Sequence, residues 1–148
     1  MVPLFPKGVN LCTRLPILIE LRNKKELKNP SLVIMRRVEG GKDEIEPGGP
    51  GEFESTVEPA EVVRETMQRL IKQENEKVCG ISKKFYLKMT LFGPNLPDID
   101  LLDLPGMVLN RRGDEPATMK EDTMGLVERT IKDTAGRAIF LAVREMTD

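Results

Sequence analysis

Apolar and polar residues along three stretches of the chain follow the pattern expected of β-strands. Leu15–Leu21 (LPILIEL) and Ser31–Val38 (SLVIMRRV) are apolar and contain β-branched residues, and we predict that they pair as antiparallel neighbours. Lys83–Phe92 (KKFYLKMTLF) alternates instead, which predicts a strand with one buried face. The inward positions of that strand are Phe85, Leu87, Met89 and Leu91.

Two further strands are predicted in the second half of the chain. Asp98–Leu104 (DIDLLDL) is apolar between its acidic residues and leads into Pro105-Gly106. Arg137–Val143 (RAIFLAV) is a continuous apolar run, which is typical of a strand at the centre of a parallel sheet.

Apolar residues spaced by three, four and seven predict two helices. The first follows Pro59 and ends before Gly80, and it carries an apolar face of Val63, Met67, Leu70, Ile71 and Val78. The second runs from about Ala117 to Asp133, and its aligned apolar residues are Met124, Val127 and Ile131.

The order of these elements predicts an α/β fold. The strand at 98–104, the second helix and the strand at 137–143 form a βαβ unit, so we expect a mixed, mostly parallel sheet with flanking helices. Residues 39–57 are rich in glycine, proline and acid, and they are predicted to form a mobile surface loop. Ligands of such sheets bind at the carboxyl ends of strands, which places Asp103–Gly106 at the functional edge.

The amino-acid composition excludes several classes of catalysis and binding. The 148 residues contain no histidine and no tryptophan, which excludes His-based catalysis and weakens any case for stacking on nucleic-acid bases. The net charge of −1 gives no electrostatic reason for nucleic-acid binding. No apolar run reaches the roughly 18 residues of a membrane span, and we expect a cytoplasmic protein with Cys12 and Cys79 as free thiols.

Two short motifs have chemical potential, and each has two interpretations when taken alone. Asp103-Leu-Pro-Gly106 is either a turn after a strand or a site where the acid holds Mg²⁺ through water and the glycine N–H contacts a terminal phosphate. Thr13 is either a turn residue before a strand or a ligand of the same Mg²⁺.

Taken together and in order, several motifs resemble the GTPase domain of the dynamin family. They are TRLP at 13–16 before a strand, a long acidic insertion, an amphipathic helix, PDIDLLDLPGM at 97–107 and GDEP at 113–116. The resemblance covers nearly the whole chain, so residues 1–148 are interpreted as a partial dynamin-type GTPase domain with an incomplete P-loop GTPase-like fold. LCTRLP at 11–16 is closer to the Mx-like and plant dynamin-related branches than to endocytic dynamins.

The resemblance implies roles for particular residues, with GTP and Mg²⁺ as cofactors. Thr13 would contact Mg²⁺ and position the attacking water, and Asp103 would hold Mg²⁺ through a bridging water. Gly106 would donate its N–H to the γ-phosphate. Gly8 and Asn10 would offer backbone carbonyls to a monovalent cation, although family members often carry glycine where this chain has Asn10.

Two family motifs are absent from these 148 residues: the phosphate-binding Gly-x-x-x-x-Gly-Lys-Ser/Thr loop and the guanine-reading Thr-Lys-x-Asp. We therefore expect the chain alone to be inactive, whereas its parent protein would hydrolyse GTP to drive membrane or filament remodelling. The alternative is a nucleotide-free module, derived from a GTPase, that pairs with intact relatives. The expected partners are guanine nucleotide and other dynamin-like chains, with which the chain would self-associate. Other domains of the parent protein would make any contact with membranes or microtubules. The parent could associate peripherally with a membrane in this way.

Overall fold

The structure is a computed structural model, and it describes residues 15–26, 28–74, 81–106 and 117–142. In this part of the chain, five strands and two helices form a mixed α/β fold. The elements are β1 (Ile17–Asn23), β2 (Ser31–Arg36), β3 (Glu44–Glu52), α1 (Pro59–Glu74), β4 (Phe85–Gly93), β5 (Ile99–Asp103) and α2 (Met119–Thr134).

The five strands form one mixed sheet in the order β3-β2-β4-β1-β5. Of its four pairings, only β1 with β4 is parallel, so the expectation of a mostly parallel sheet is wrong for the described residues. The predicted pairing of β1 with β2 is also wrong, because β4 lies between them. The connection from β2 through β3 and α1 returns the chain to the sheet at β4, which lies next to β1. β4, whose buried residues alternate, is therefore the middle strand of the sheet.

The main core lies between α1 and one face of the sheet. α1 begins at Pro59, as predicted, and its residues Val63, Met67, Leu70 and Ile71 are all buried, at 0–4% exposure. They pack against alternate residues of the central strands: Ile17, Ile19, Leu32, Ile34, Leu87 and Met89. Each such side chain stabilises the fold by about 1.5–3 kcal/mol through removal of apolar surface from water. Val78, predicted on the same face, lies outside the described residues.

α2 buries a different face from the one predicted. Met124 and Ile131 are 43% and 41% exposed, whereas the buried residues of α2 are Met119, Thr123, Leu126 and Thr130. Burial of the threonines is possible because their hydroxyls donate within the helix, from Thr123 to the Met119 carbonyl at 2.9 Å and from Thr130 to the Leu126 carbonyl at 2.8 Å. The apolar spacing on α2 therefore misidentified its buried face.

Residues 44–52 form the edge strand β3, so the expected loop over 39–57 is wrong for this part. Glycine is needed here for close approach of two strands: a Cβ on Gly49 would lie 3.2 Å from the Ile34 backbone nitrogen. Gly48 and Gly51 have positive φ angles of 92° and 70° around an irregular register with β2. The mobility of the flanking turns remains a prediction.

The predicted strand at 137–143 is not formed in the described residues. Residues 138–142 have no regular structure, and Ile139 and Leu141 are 93% and 87% exposed. A strand requires a neighbour for its backbone hydrogen bonds, and β5 pairs with β1 alone in the described sheet. Val143 lies outside the described residues. Neither of the two described helices has the length and hydropathy that crossing a membrane requires.

Candidate functional site

Asp103 is the last residue of β5 and lies at one end of the sheet. It pairs in register with Ile17, the first residue of β1. Because these strands are antiparallel, the chain enters β1 at the same end of the sheet where β5 leaves it. Leu15-Pro16, which lead into β1, and Leu104–Gly106, which follow β5, therefore adjoin the same end of the sheet. Alternation along β5 puts Asp103 on the α1 side of the sheet with Leu101, which packs against the core.

Gly106 is exposed, three residues beyond the end of β5, and follows the buried Pro105. A Cβ added to Gly106 would meet no described atom within 4 Å, and Gly106 is not among the glycines with a positive φ angle. Neither packing against the described residues nor a left-handed turn therefore requires glycine here. Without a Cβ, the backbone N–H of Gly106 is not shielded by a side chain of its own, and both interpretations of this motif, a turn or a phosphate contact, stay predictions.

The remaining predicted site residues, Gly8, Asn10 and Thr13, lie outside the described residues, as do Cys12 and Cys79. Their roles stay predictions.

The described residues offer few side chains that could bind Mg²⁺. No three acidic or cysteine side chains converge there as a metal cluster. Mg²⁺ keeps several waters and is commonly bound through one or two protein carboxylates plus phosphate oxygens. The partly buried Asp103 carboxylate, next to the open backbone at Gly106, suits that chemistry.

A polar network covers part of the sheet face opposite α1, and sequence reasoning missed it. The Glu20 carboxylate accepts a hydrogen bond from Thr90 at 3.1 Å and pairs with Lys88 at 3.0 Å and Arg22 at 3.3 Å. Arg22 also donates to Asp100 at 2.6 Å, and this hydrogen bond raises the pKa of Arg22. The signal was available as polar residues at alternate positions of β1 and β4. Since its members bind one another, the network is structural.

The whole sequence was then compared with known proteins. A sequence profile described as "Dynamin family" matches residues 2–146. The chain belongs to the Dynamin family. The predicted resemblance is thereby confirmed, and the mixed sheet with two helices is consistent with part of a dynamin-type G domain.

Individual dynamin-family proteins are similar to this chain at low identity. The mouse "Dynamin-1-like protein" is 27% identical over 95% of this chain and 18% of its own length. The "Dynamin-like GTPase MGM1, mitochondrial" of Chaetomium thermophilum is 28% identical over 93% of this chain and 13% of its own length. The "Interferon-induced GTP-binding protein Mx1" of Otaria byronia is 28% identical over 85% of this chain and 17% of its own length.

Two consequences follow for this dynamin-family chain. It spans less than a fifth of the length of these relatives, and its family membership supports homology to part of a dynamin-type G domain. The identities to mitochondrial, plant and Mx relatives are too similar to select a branch. The assignment to the Mx-like or plant branch therefore stays a prediction.

Proposed function

We propose that this chain supplies the Mg²⁺-holding and γ-phosphate-sensing part of a dynamin-like GTPase domain. The observation that carries the proposal is the exposed Gly106, for which the described structure gives no conformational or packing reason, three residues after the strand-ending Asp103. Family membership gives these residues their expected order and chemistry.

Phosphoryl transfer depends mainly on positioning and on stabilising negative charge, and the proposed residues do both. Asp103 and Thr13 would hold Mg²⁺, and the bound ion would supply neutralisation of phosphate charge. The Gly106 N–H would contact the γ-phosphate, and Thr13 would also position the attacking water. The backbone carbonyls of Gly8 and Asn10 would hold a monovalent cation, which would supply further positive charge.

The phosphate-binding loop has to come from outside these 148 residues, because no Gly-Lys-Ser/Thr sequence occurs among them. That loop provides the main anion-binding backbone in P-loop proteins. The chain by itself is therefore proposed not to hydrolyse GTP. The parent protein would be cytoplasmic, self-associate, and use GTP hydrolysis for membrane or filament remodelling, with any peripheral contact to membranes or microtubules made by other domains.

Binding of a fluorescent GTP analogue with and without Mg²⁺ tests this proposal. It is measured for the 148-residue chain and for a longer polypeptide that extends upstream to any Gly-Lys-Ser/Thr loop encoded at the same locus. In the longer polypeptide, Asp103→Asn is expected to weaken Mg²⁺-dependent binding about tenfold or more, as loss of a charge-assisted interaction does. Asp100→Asn is the matched control, because Asp100 lies on the same strand but faces the polar network.

Two results would contradict the proposal. Equal Mg²⁺-dependent affinities of the Asp103→Asn and Asp100→Asn proteins would remove the role of Asp103. Micromolar binding by the 148 residues alone, unchanged by Asp103→Asn, would place the phosphate site elsewhere.

A second candidate function is a nucleotide-free module that pairs with intact dynamin-like chains. The exposed apolar residues Ile139, Phe140 and Leu141, together with the edge of β5 that no described strand pairs with, favour it. A stable, monodisperse 148-residue protein that binds an intact relative equally well with and without GTP would support this function over the first.

A further inference from the structure

A cavity of about 410 Å³ lies between α2 and the connection from β2 to β3. Its volume falls in the range of small-molecule sites. We call it the Arg37 cavity, and its lining includes Leu18, Arg37, Asp43, Tyr86, Leu102 and Arg129. Alternation along β5 turns Leu102 towards this cavity and the neighbouring Asp103 to the opposite face of the sheet. The cavity is thus separate from the candidate Mg²⁺ site.

Arg37 contributes a partly buried cation to the cavity wall. Its guanidinium is partly buried and stacks on the Tyr86 ring, 5.6 Å from the ring centroid. Among the described residues, no carboxylate oxygen lies within 4.0 Å of that guanidinium. Burial lowers the pKa of Arg37 and repulsion from Arg129 lowers it further, whereas the charges of Asp43 and Asp133 act in the opposite direction. A guanidinium carries five N–H donors, so an acceptor placed in the cavity would satisfy groups that the protein leaves open.

Arg129 contributes a second cation from the α2 side of the same cavity. Its guanidinium is 3.7 Å from the Asp133 carboxylate, which is at the long end of an ion pair, and its side chain is 47% exposed. Two arginines on opposite walls repel each other. An oxyanion between them would replace that repulsion with two charge-assisted interactions.

Two acidic residues, Asp43 and Asp133, line the cavity, and Asp43 already has other hydrogen-bond partners. The Asp43 carboxylate accepts a hydrogen bond from the Tyr86 hydroxyl at 3.0 Å and one from the Val38 backbone N–H at 3.3 Å. These bonds hold Asp43 against the turn after β2, so it does not form an ion pair with Arg37. Leu18 and Leu102, which pair across β1 and β5, supply an apolar surface beside the charges.

We propose that the Arg37 cavity binds a small organic anion, in which a phosphate or carboxylate is attached to a compact apolar body. Arg37 and Arg129 bind the anionic group, and Leu18 and Leu102 contact the apolar body. The inference does not rest on the proposed GTPase role, since it uses no residue of the candidate Mg²⁺ site.

Binding in the Arg37 cavity can be followed by the intrinsic tyrosine fluorescence of the chain. Tyr86 is the single tyrosine, and there is no tryptophan, so the tyrosine fluorescence of the protein comes from the cavity wall. Four probes that do not absorb with tyrosine separate the contributions: cyclohexyl phosphate, cyclohexanecarboxylate, cyclohexanol and inorganic phosphate. We expect at least one of the two organic anions to bind about tenfold or more tightly than both cyclohexanol and inorganic phosphate, because only the organic anions use both surfaces.

Arg37→Gln and Arg129→Gln are each expected to weaken binding of the organic anion about tenfold. Arg64→Gln is the control, because Arg64 lies on α1 at the other face of the sheet and pairs with Glu61. Midpoints of the titrations are compared instead of amplitudes, since loss of Arg37 also changes the surroundings of Tyr86. If Arg37→Gln fails to fold, Arg129→Gln, at an exposed helix position, decides the question.

The proposal is overturned if no probe changes Tyr86 fluorescence, or if Arg129→Gln binds the organic anions as tightly as the unmodified chain. It is also overturned if Arg64→Gln weakens binding as much as Arg129→Gln, because the effect would then be general electrostatics. Binding of inorganic phosphate as tight as that of cyclohexyl phosphate would indicate an adventitious ion only.

Discussion

At the scale of single residues, Tyr86 is the titratable group that the fold perturbs most clearly. Burial, and then the hydrogen bond to Asp43, raises its pKa from 10.0 to about 12. As the single tyrosine, it should give one tyrosinate absorbance transition near pH 12. Asp43→Asn should move that transition towards 10 without reaching it, because burial remains. Asp98→Asn, just before β5 and not among the groups that shift the pKa of Tyr86, should leave it unchanged.

The sign of the linked stability change follows from the same shift. Between pH 10 and pH 12, the unfolded chain loses the tyrosine proton while the folded chain retains it. The free energy of unfolding therefore falls as pH rises through this window, and the contribution is fully present below pH 10. A tyrosinate transition near pH 10 in the unmodified protein would contradict the described setting of Tyr86.

Two methionines that the sequence presents alike should behave differently on truncation. Met67 is 1% exposed in the core, and Met124 is 43% exposed on α2. Met67→Ala should reduce the free energy of unfolding by about 2–5 kcal/mol, because it leaves a cavity. Met124→Ala should change it by no more than about 0.5 kcal/mol. Urea denaturation of the two variants measures the difference, and equal losses would show that α2 buries the predicted face after all.

The same pair shows what the sequence could and could not predict about side-chain burial. On α1, residues spaced by three and four form one apolar stripe, so spacing alone identified Val63 and Met67 correctly. On α2, half of the buried face consists of threonines, whose hydroxyls are satisfied inside the helix. A hydropathy pattern does not reveal that compensation.

At the scale of elements, β3 shows how composition misled the assignment. Glycine and proline normally indicate a loop, but here they belong to an irregular edge strand, where proline is tolerated and glycine allows close backbone contact.

We expect two Gly→Ala changes to alter the free energy of unfolding in opposite directions. Gly49→Ala would place a Cβ 3.2–3.4 Å from backbone atoms of β2 and should destabilise the fold by about 1–3 kcal/mol. Gly125 lies within α2, and a Cβ added there would meet no described atom within 4 Å. Gly125→Ala should therefore stabilise the fold by about 0.5–1 kcal/mol. Thermal unfolding checks both, and a neutral Gly49→Ala would contradict the close approach of β3 to β2.

For the molecule as a whole, local patterns predicted most elements but not their arrangement. β1, β2, β4, β5 and both helices occur near their predicted positions, because each is marked locally by an apolar or alternating run or by apolar residues at helical spacing. The order of strands depends on which pairs bury the most apolar surface, and no short stretch contains that information. At the candidate site, order and spacing predicted Asp103 and Gly106, and their roles stay predictions. The Arg37 cavity joins residues far apart in the chain and has no local signal.

The two edge strands of the described sheet differ in charge and apolar exposure, and this difference predicts which edge mediates self-association of the 148-residue chain. β3 carries Glu44, Glu46 and Pro47 and has an irregular register, features that discourage pairing with another strand. β5, at the opposite edge, exposes Ile99 and Leu102 at 44% and 40%. We expect concentration-dependent association through β5 in sedimentation velocity.

A lysine placed on the β5 edge should oppose that association, because pairing would desolvate its charge. Ile99→Lys should raise the concentration needed for association about tenfold or more, whereas Ile45→Lys, at the 69% exposed position on β3, should have little effect. Equal effects of the two lysines would point to net charge instead of a specific edge. A chain that stays monomeric without substitution would mean that the β5 edge is already protected. If association is confirmed and is lost on addition of a dynamin-like polypeptide that contains the phosphate loop, then this edge is where the rest of the domain joins the sheet.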